Sequence, residues 1–214
     1  MSQATVDPIY AQTFNMQPRK GDLRKFAIIQ AAVHCLAEDA MENGVFDRIG
    51  KRLRIRRTLV AYYFKSKDEL LEAAVQYVIA TAQQLTIERV QGETAPEAKL
   101  RAMWEAAFEW TERYPEQARV LVLFEYSSGS RRNHRKINSA IRKAGADRII
   151  ALLRELARER KLNSAEAEIE ELGRGLQAEL TGFIHETWMT DVKGLREIAR
   201  RSFERRIAAF LSKA

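Results

Sequence analysis

The chain has 214 residues, 46% hydrophobic and 30% charged, with 36 Lys and Arg against 29 Asp and Glu. That length supports one or two domains with a sizeable core. With no apolar run near the ~20 residues that span a bilayer, and no cationic-then-apolar leader in its first twenty residues, it is expected to be a soluble cytoplasmic protein without membrane partners. A lone cysteine, Cys35, excludes an intramolecular disulfide, and four prolines with ten glycines among long Ala-, Leu-, Glu-, Arg- and Lys-rich stretches mark an all-α composition.

In chain order, residues 1–19 form an expected flexible tail ending in a basic stretch. A first helix is predicted from about Asp22 to Asp39, with Phe26, Ile29, Val33 and Leu36 on its apolar face. A second runs from about Val45 to Leu53, its face formed by Phe46, Ile49 and Leu53. A third runs from about Arg56 to Tyr63, with Ile55, Leu59 and Phe64 expected in the core. Ser66 caps a fourth helix whose first turn holds Asp68 and Glu69, complementing the helix dipole, and which extends to about Val90. After the break QGETAPEA come a fifth helix to about Arg113, a sixth from Pro115 to Ser127 and a seventh from Asn133 to Lys161. Ser164 opens an eighth helix to Met189, and a ninth covers Leu195 to Ser212, about nine in all.

The segment Asp47–Lys67 (DRIGKRLRIRRTLVAYYFKSK) carries the functional signal. Two short amphipathic helices joined by a turn of a few residues must cross steeply, and the second begins with arginines and ends with tyrosines. In a helix-turn-helix the second helix enters the DNA major groove with its N-terminal residues against base edges. Charge agrees: residues 1–67 hold 12 basic and 6 acidic residues, whereas the remainder holds 24 and 23. Positive charge confined to the reader segment points to nucleic acid more narrowly than a high overall pI does.

Leu23–Val78 resembles the N-terminal domain of the TetR family of bacterial transcriptional regulators, in the runs LRKFAIIQAAVHCLAED, FDRIGKRL, RIRRTLVAYYF and KSKDELLEAAVQYV. The ending YYF-x-SK-x-ELL is the most specific part, and the match covers about a quarter of the chain. The resemblance implies a TetR-like all-α fold: a three-helix DNA-binding domain at 20–67 and a helical effector-binding and dimerisation domain at 68–214. It departs from the family pattern at three positions. Arg54 stands at the turn where Gly is frequent, Val45 where Thr or Ser opens the second helix, and Ala40 where Gly closes the first.

Arg56 and Arg57 are expected to fork onto guanine edges or clamp phosphates, and Thr58 to touch a thymine methyl or a phosphate. Tyr62 and Tyr63 match positions that bond the sugar-phosphate backbone in the family, at least one of the two being expected to pack instead. Lys67 matches the family's lysine aimed at a phosphate, beside the amides of the fourth helix's N-terminus.

The resemblance also implies a small-molecule cavity, with Trp104, Phe108, Phe124, His185 and Trp188 as candidate walls, although most aromatics on such helices are ordinary core. Glu105, Glu109 and Glu125 near those aromatics would suit a cationic effector. Leu172, Leu176, Leu180 and Phe183 on the eighth helix, with Phe203, Ile207 and Phe210 on the ninth, form stripes expected to pair two copies; periodicity alone allows intramolecular packing equally. Two-fold symmetry favours the dimer, because a palindrome doubles a small reading footprint.

No catalytic motif, metal-ligand cluster or cofactor loop is present in the sequence, and the three histidines are scattered. The reading is a homodimeric, ligand-responsive transcriptional regulator, most simply a repressor, that binds double-stranded operator DNA, has no cofactor and is not an enzyme. Two alternatives stay open: a DNA-binding protein of this fold without a small-molecule effector, and an enzyme or carrier that kept the fold and lost operator binding.

Overall fold

The computed structural model describes residues 19–38, 44–190 and 192–212. The sequence-predicted tail up to residue 18, the end of the first helix at Asp39 and the departure at Ala40 lie outside the described residues. Among the described residues there are nine helices and no strand: α1 Lys20–Glu38, α2 Val45–Leu53, α3 Arg57–Tyr63, α4 Lys67–Gln91, α5 Pro96–Arg113, α6 Pro115–Ser128, α7 Arg132–Arg160, α8 Glu166–Met189 and α9 Leu195–Leu211. None is long and apolar enough to cross a membrane. The eighth helix starts at Glu166, with Ala165 in extended conformation before it, rather than at Ser164.

The described residues divide into two compact units, one of those up to 84 with 114–134, the other of 85–113 with those from 135 onward. This differs from a boundary at residue 67, because α6 belongs with the reader helices and the division falls inside α4 and α7.

In the first unit α1 packs on both α2 and α6. It therefore buries more than a single stripe: Ile28, Ala31, Ala32 and Cys35 are buried along with Phe26, Ile29, Val33 and Leu36. Ala118, Val120, Val122 and Phe124 of α6 are buried as well. The α2 face is Val45 and Ile49, with Phe46 and Leu53 only half-buried. Val45 is a core residue, 4% exposed, and the residue that caps α2 is Gly44, in left-handed conformation. In α3 the buried position is Val60, while Ile55 and Leu59 are half-buried, so two of the three expected core residues are displaced and Phe64 alone is fully inside.

The second unit has an apolar core built from Leu100, Trp104 and Phe108 of α5, Ile149, Ile150, Leu153 and Leu156 of α7, Leu176 and Leu180 of α8, and Phe203, Ile207 and Phe210 of α9. Gly173 lets α8 lie hard against α7, since a Cβ there would come 2.3 Å from the Ile150 side chain. Leu176, Leu180, Phe203, Ile207 and Phe210, read from the sequence as a dimer face, are buried inside this core. The stripe closes the chain on itself, and of the seven residues only Leu172 and Phe183 remain partly open. Hydrophobic periodicity identifies which face is covered, and leaves open whether the cover is intramolecular.

Candidate nucleic-acid interface

The reader is set by the end of α2. Ile55 N–H donates to the Gly50 carbonyl at 2.9 Å and Arg54 N–H to the Lys51 carbonyl at 3.2 Å. These paired bonds form a Schellman ending, which requires a left-handed residue just past the helix. Arg54 fills that position with φ 54° and ψ 44°. Glycine is needed one turn earlier instead: a Cβ at Gly50 would come 2.9 Å from the Ile55 carbonyl oxygen and 3.5 Å from Arg57 N, so its absence is what lets α3 start against α2.

At the other end of α3, Ser66 Oγ accepts from Glu69 N–H at 3.1 Å, and the Glu69 carboxylate accepts from Lys65 N–H at 2.7 Å. This is nearly a capping box. Lys65 Nζ donates to the Tyr62 carbonyl at 3.0 Å, satisfying the end of α3 with a cation.

The basic side chains of this segment fall into two sets. Arg48 donates to the Cys35 carbonyl at 2.9 Å and Arg52 lies 3.6 Å from Glu38, so both tie α2 to α1. Arg54 and Arg56 are exposed, with no ion pair among the described residues. Arg57 is 67% exposed and only 3.6 Å from Asp47 at its nearest. Thr58 is exposed, and Tyr62 is 69% exposed. Tyr63 is the packing member of the tyrosine pair, half-buried, edge-on to Tyr62 at 5.3 Å and with its hydroxyl close to Gly21 of α1. Lys67 begins α4 and is half-buried. The structure thus gathers Arg56, Arg57, Thr58 and Tyr62 on the exposed side of α3 and its start. It adds Arg54 and Lys65, which flank the reader helix and were not among the expected contacts.

The five candidate effector contacts divide between the units. Phe124 is fully buried in the first, its ring 4.8 Å from that of His134. Trp104 and Phe108 lie in the core of the second, where Trp104 stacks on Phe203 at 4.9 Å. His185 and Trp188 are half-buried on α8. The Trp104 indole N–H is buried without an acceptor among the described residues.

Glu109 is engaged by Arg89 through two hydrogen bonds of 2.8 and 2.5 Å, and Glu105 by Arg196 at 2.8 Å. The Arg89 hydrogen bond holds the Glu109 carboxyl below its ordinary range. Both carboxylates are thus engaged within the second unit. An open groove of about 340 Å³ on the second unit is lined by Glu168, Glu171, Leu172, Arg206, Ala209 and Phe210, none of them among the five.

A braced helix pair with an exposed, cation-rich second helix is the architecture of a helix-turn-helix. Residues 28–74 match the family described as bacterial regulatory proteins, tetR family. Over 89 residues it is 30% identical to the HTH-type transcriptional regulator BetI of Paraburkholderia phytofirmans, covering 41% of this chain and 46% of that protein. BetI of Burkholderia thailandensis is 29% identical over 92 residues, 42% of this chain and 47% of that one. The chain thus spans about half the length of the curated relatives it matches. Among solved structures, a TetR transcription regulator from Haloarcula marismortui superposes with a TM-score of 0.78 at 20% identity, over 87% of this chain and 97% of that one. A transcriptional regulator from Saccharomonospora viridis in complex with choline gives 0.76 at 14%, over 86% and 95%. At such identities these two establish the shared fold.

Proposed function

We propose that this regulator binds a palindromic DNA operator as a homodimer, most simply as a repressor, and is released by a small molecule held in its second unit. The observation carrying the DNA reading is the set of exposed arginines at the start of α3, unpaired or loosely paired while neighbouring Arg48 and Arg52 are tethered to α1. Arg56, Arg57 and Thr58 meet base edges, while Tyr62 and Lys67 meet the backbone, with Arg54 and Lys65 adding phosphate contacts. Two copies pair through the outward side of α8 and α9, where Leu172 and Phe183 are half-open and Ala178 and Gly182 are exposed. The buried indole N–H of Trp104, an unmatched donor within an apolar core, supports an effector site near it, since such sites are mostly apolar with few polar contacts. The choline bound to one structural relative places small cations among the effectors to screen first.

The test is selection of bound sequences from a random double-stranded DNA pool, followed by affinity measurements across salt concentration. A two-fold symmetric consensus, a steep inverse salt dependence and a dimeric mass by light scattering are expected. Recovery of unenriched sequences would remove the operator reading.

A further inference from the structure

The unit that carries the reader helix also encloses a titratable group that DNA reading does not use. His134, near the start of α7, is 1% exposed, its ring lying 4.8 Å from that of Phe124. Ser127 Oγ lies 2.7 Å from His134 Nδ1 and donates to the Phe124 carbonyl, also at 2.7 Å. A hydroxyl has a single proton; given to that carbonyl, it leaves the oxygen to accept from the ring. With the proton there, Ser127 Oγ accepts and Nδ1 carries hydrogen.

This fixes the tautomer, because in a neutral ring with hydrogen on Nδ1 the other nitrogen is a bare lone pair. Nε2 lies 3.4 Å from Glu72 Oε1 and completes no hydrogen bond. A lone pair facing a carboxylate repels it, whereas a proton on Nε2 makes the contact a charge-assisted hydrogen bond. The same Glu72 oxygen accepts from Asn133 Nδ2 at 2.5 Å, and one turn earlier Asp68 pairs with Arg131.

We propose that His134 is a proton-operated latch: a proton taken from solvent onto Nε2 locks the turn between α6 and α7 onto the first turns of α4, and losing it loosens them. The charged groups facing the ring are Glu72, with Asp68 and Arg131 paired beside it; from α6, Ser127 and Phe124 lie against it and carry no charge. Arg132 and Arg135 flank His134 in sequence and are exposed. Since α4 begins four residues after the end of α3 and starts with Lys67, the latch sets how firmly the reading elements are held. That second step rests on the DNA reading above.

The test is hydrogen exchange of the full chain, followed by mass spectrometry at about pH 6 and about pH 8, spanning the interval in which histidines titrate. After correction for intrinsic chemistry, protection in the first turns of α4 and in the α6–α7 turn should fall about three- to tenfold at the higher pH, the scale of one charge-assisted bond. In Glu72→Gln the amide can donate to the neutral Nε2, so protection should stay high at both pH values. His134→Gln, which cannot titrate, should likewise be flat. Unchanged wild-type protection, or a wild-type pH response surviving in Glu72→Gln, overturns the latch.

Affinity for DNA recovered from the random pool should weaken with pH in the wild type by the same factor, and stay level in Glu72→Gln. Equal wild-type affinity at both pH values overturns the coupling to DNA. If no DNA is recovered the operator reading fails, and the exchange experiment still decides the latch.

Discussion

Arginines at the reader helix and a set in the second unit meet opposite fates. Around the reader helix Arg54, Arg56 and Arg57 stand exposed, two without an ion pair among the described residues and one loosely held. In the second unit Arg89, Arg101, Arg154, Arg196 and Arg200 are each hydrogen-bonded to a carboxylate, mostly by two nitrogens. Both regions are rich in the same side chain. What separates a surface reserved for a polyanion from one that holds helices together is whether the cation's partner lies within the chain, and composition cannot show that.

The comparison breaks most heavily in the second unit's core. Trp104→Ala removes a ring stacked on Phe203 and should cost about 3–5 kcal/mol in denaturant unfolding. An affinity for selected DNA that survived this loss would show the reading head to be independent of that core. Gly50→Ala is the counterpart in the first unit. Its Cβ would press on a backbone oxygen 2.9 Å away, with an expected loss of about 1–3 kcal/mol and of DNA binding together.

Arg57→Ala, by contrast, should leave stability unchanged, weaken operator binding by about 1–3 kcal/mol and relax specificity at one position in each half-site. Lys67→Ala should weaken all sequences alike and flatten the salt slope; equal, sequence-independent losses from both would remove base reading from Arg57. Arg54→Gly relieves a left-handed arginine and should stabilise the first unit by about 1 kcal/mol, measured by thermal unfolding.

The smallest effect expected is at Arg101–Glu204, where the guanidinium hydrogen bond holds the Glu204 carboxyl below its ordinary range. A depressed carboxylate stabilises the fold above its unfolded pKa, and that contribution is lost as pH falls from about 4.3 through the folded value. Both side chains are partly exposed, so the pair contributes under ~1 kcal/mol. Glu204→Gln should remove it at neutral pH and flatten this part of the acid response.

The helix-turn-helix was legible because its signals are local: apolar spacing, a short turn, a capping serine and flanking cations. The predicted α3 began one residue early, at Arg56, which proves to be the residue before the helix. Glycine at the turn was expected from the family pattern, yet the close approach that demands one falls at Gly50, a contact between two helices that spacing does not encode. Val45, which stands where the family has Thr or Ser, is core because Gly44 takes the cap position. Farther along, Phe124 proved to share a unit with the reader rather than with Trp104, since chain order says nothing of which helices cluster. The α8 and α9 stripes were visible, but their cover was the chain's own α5 and α7.

Cys35 turns its burial into a measuring device. It is the chain's single thiol, 2% exposed on α1, with burial pushing it above the ordinary thiol range and its own carbonyl holding Arg48. A thiol-specific reagent therefore reacts at one place, and only when α1 lifts from its neighbours. The labelling rate is a clock for opening of the reading head, needing no introduced probe, and any DNA or effector that tightens the head should slow it in proportion.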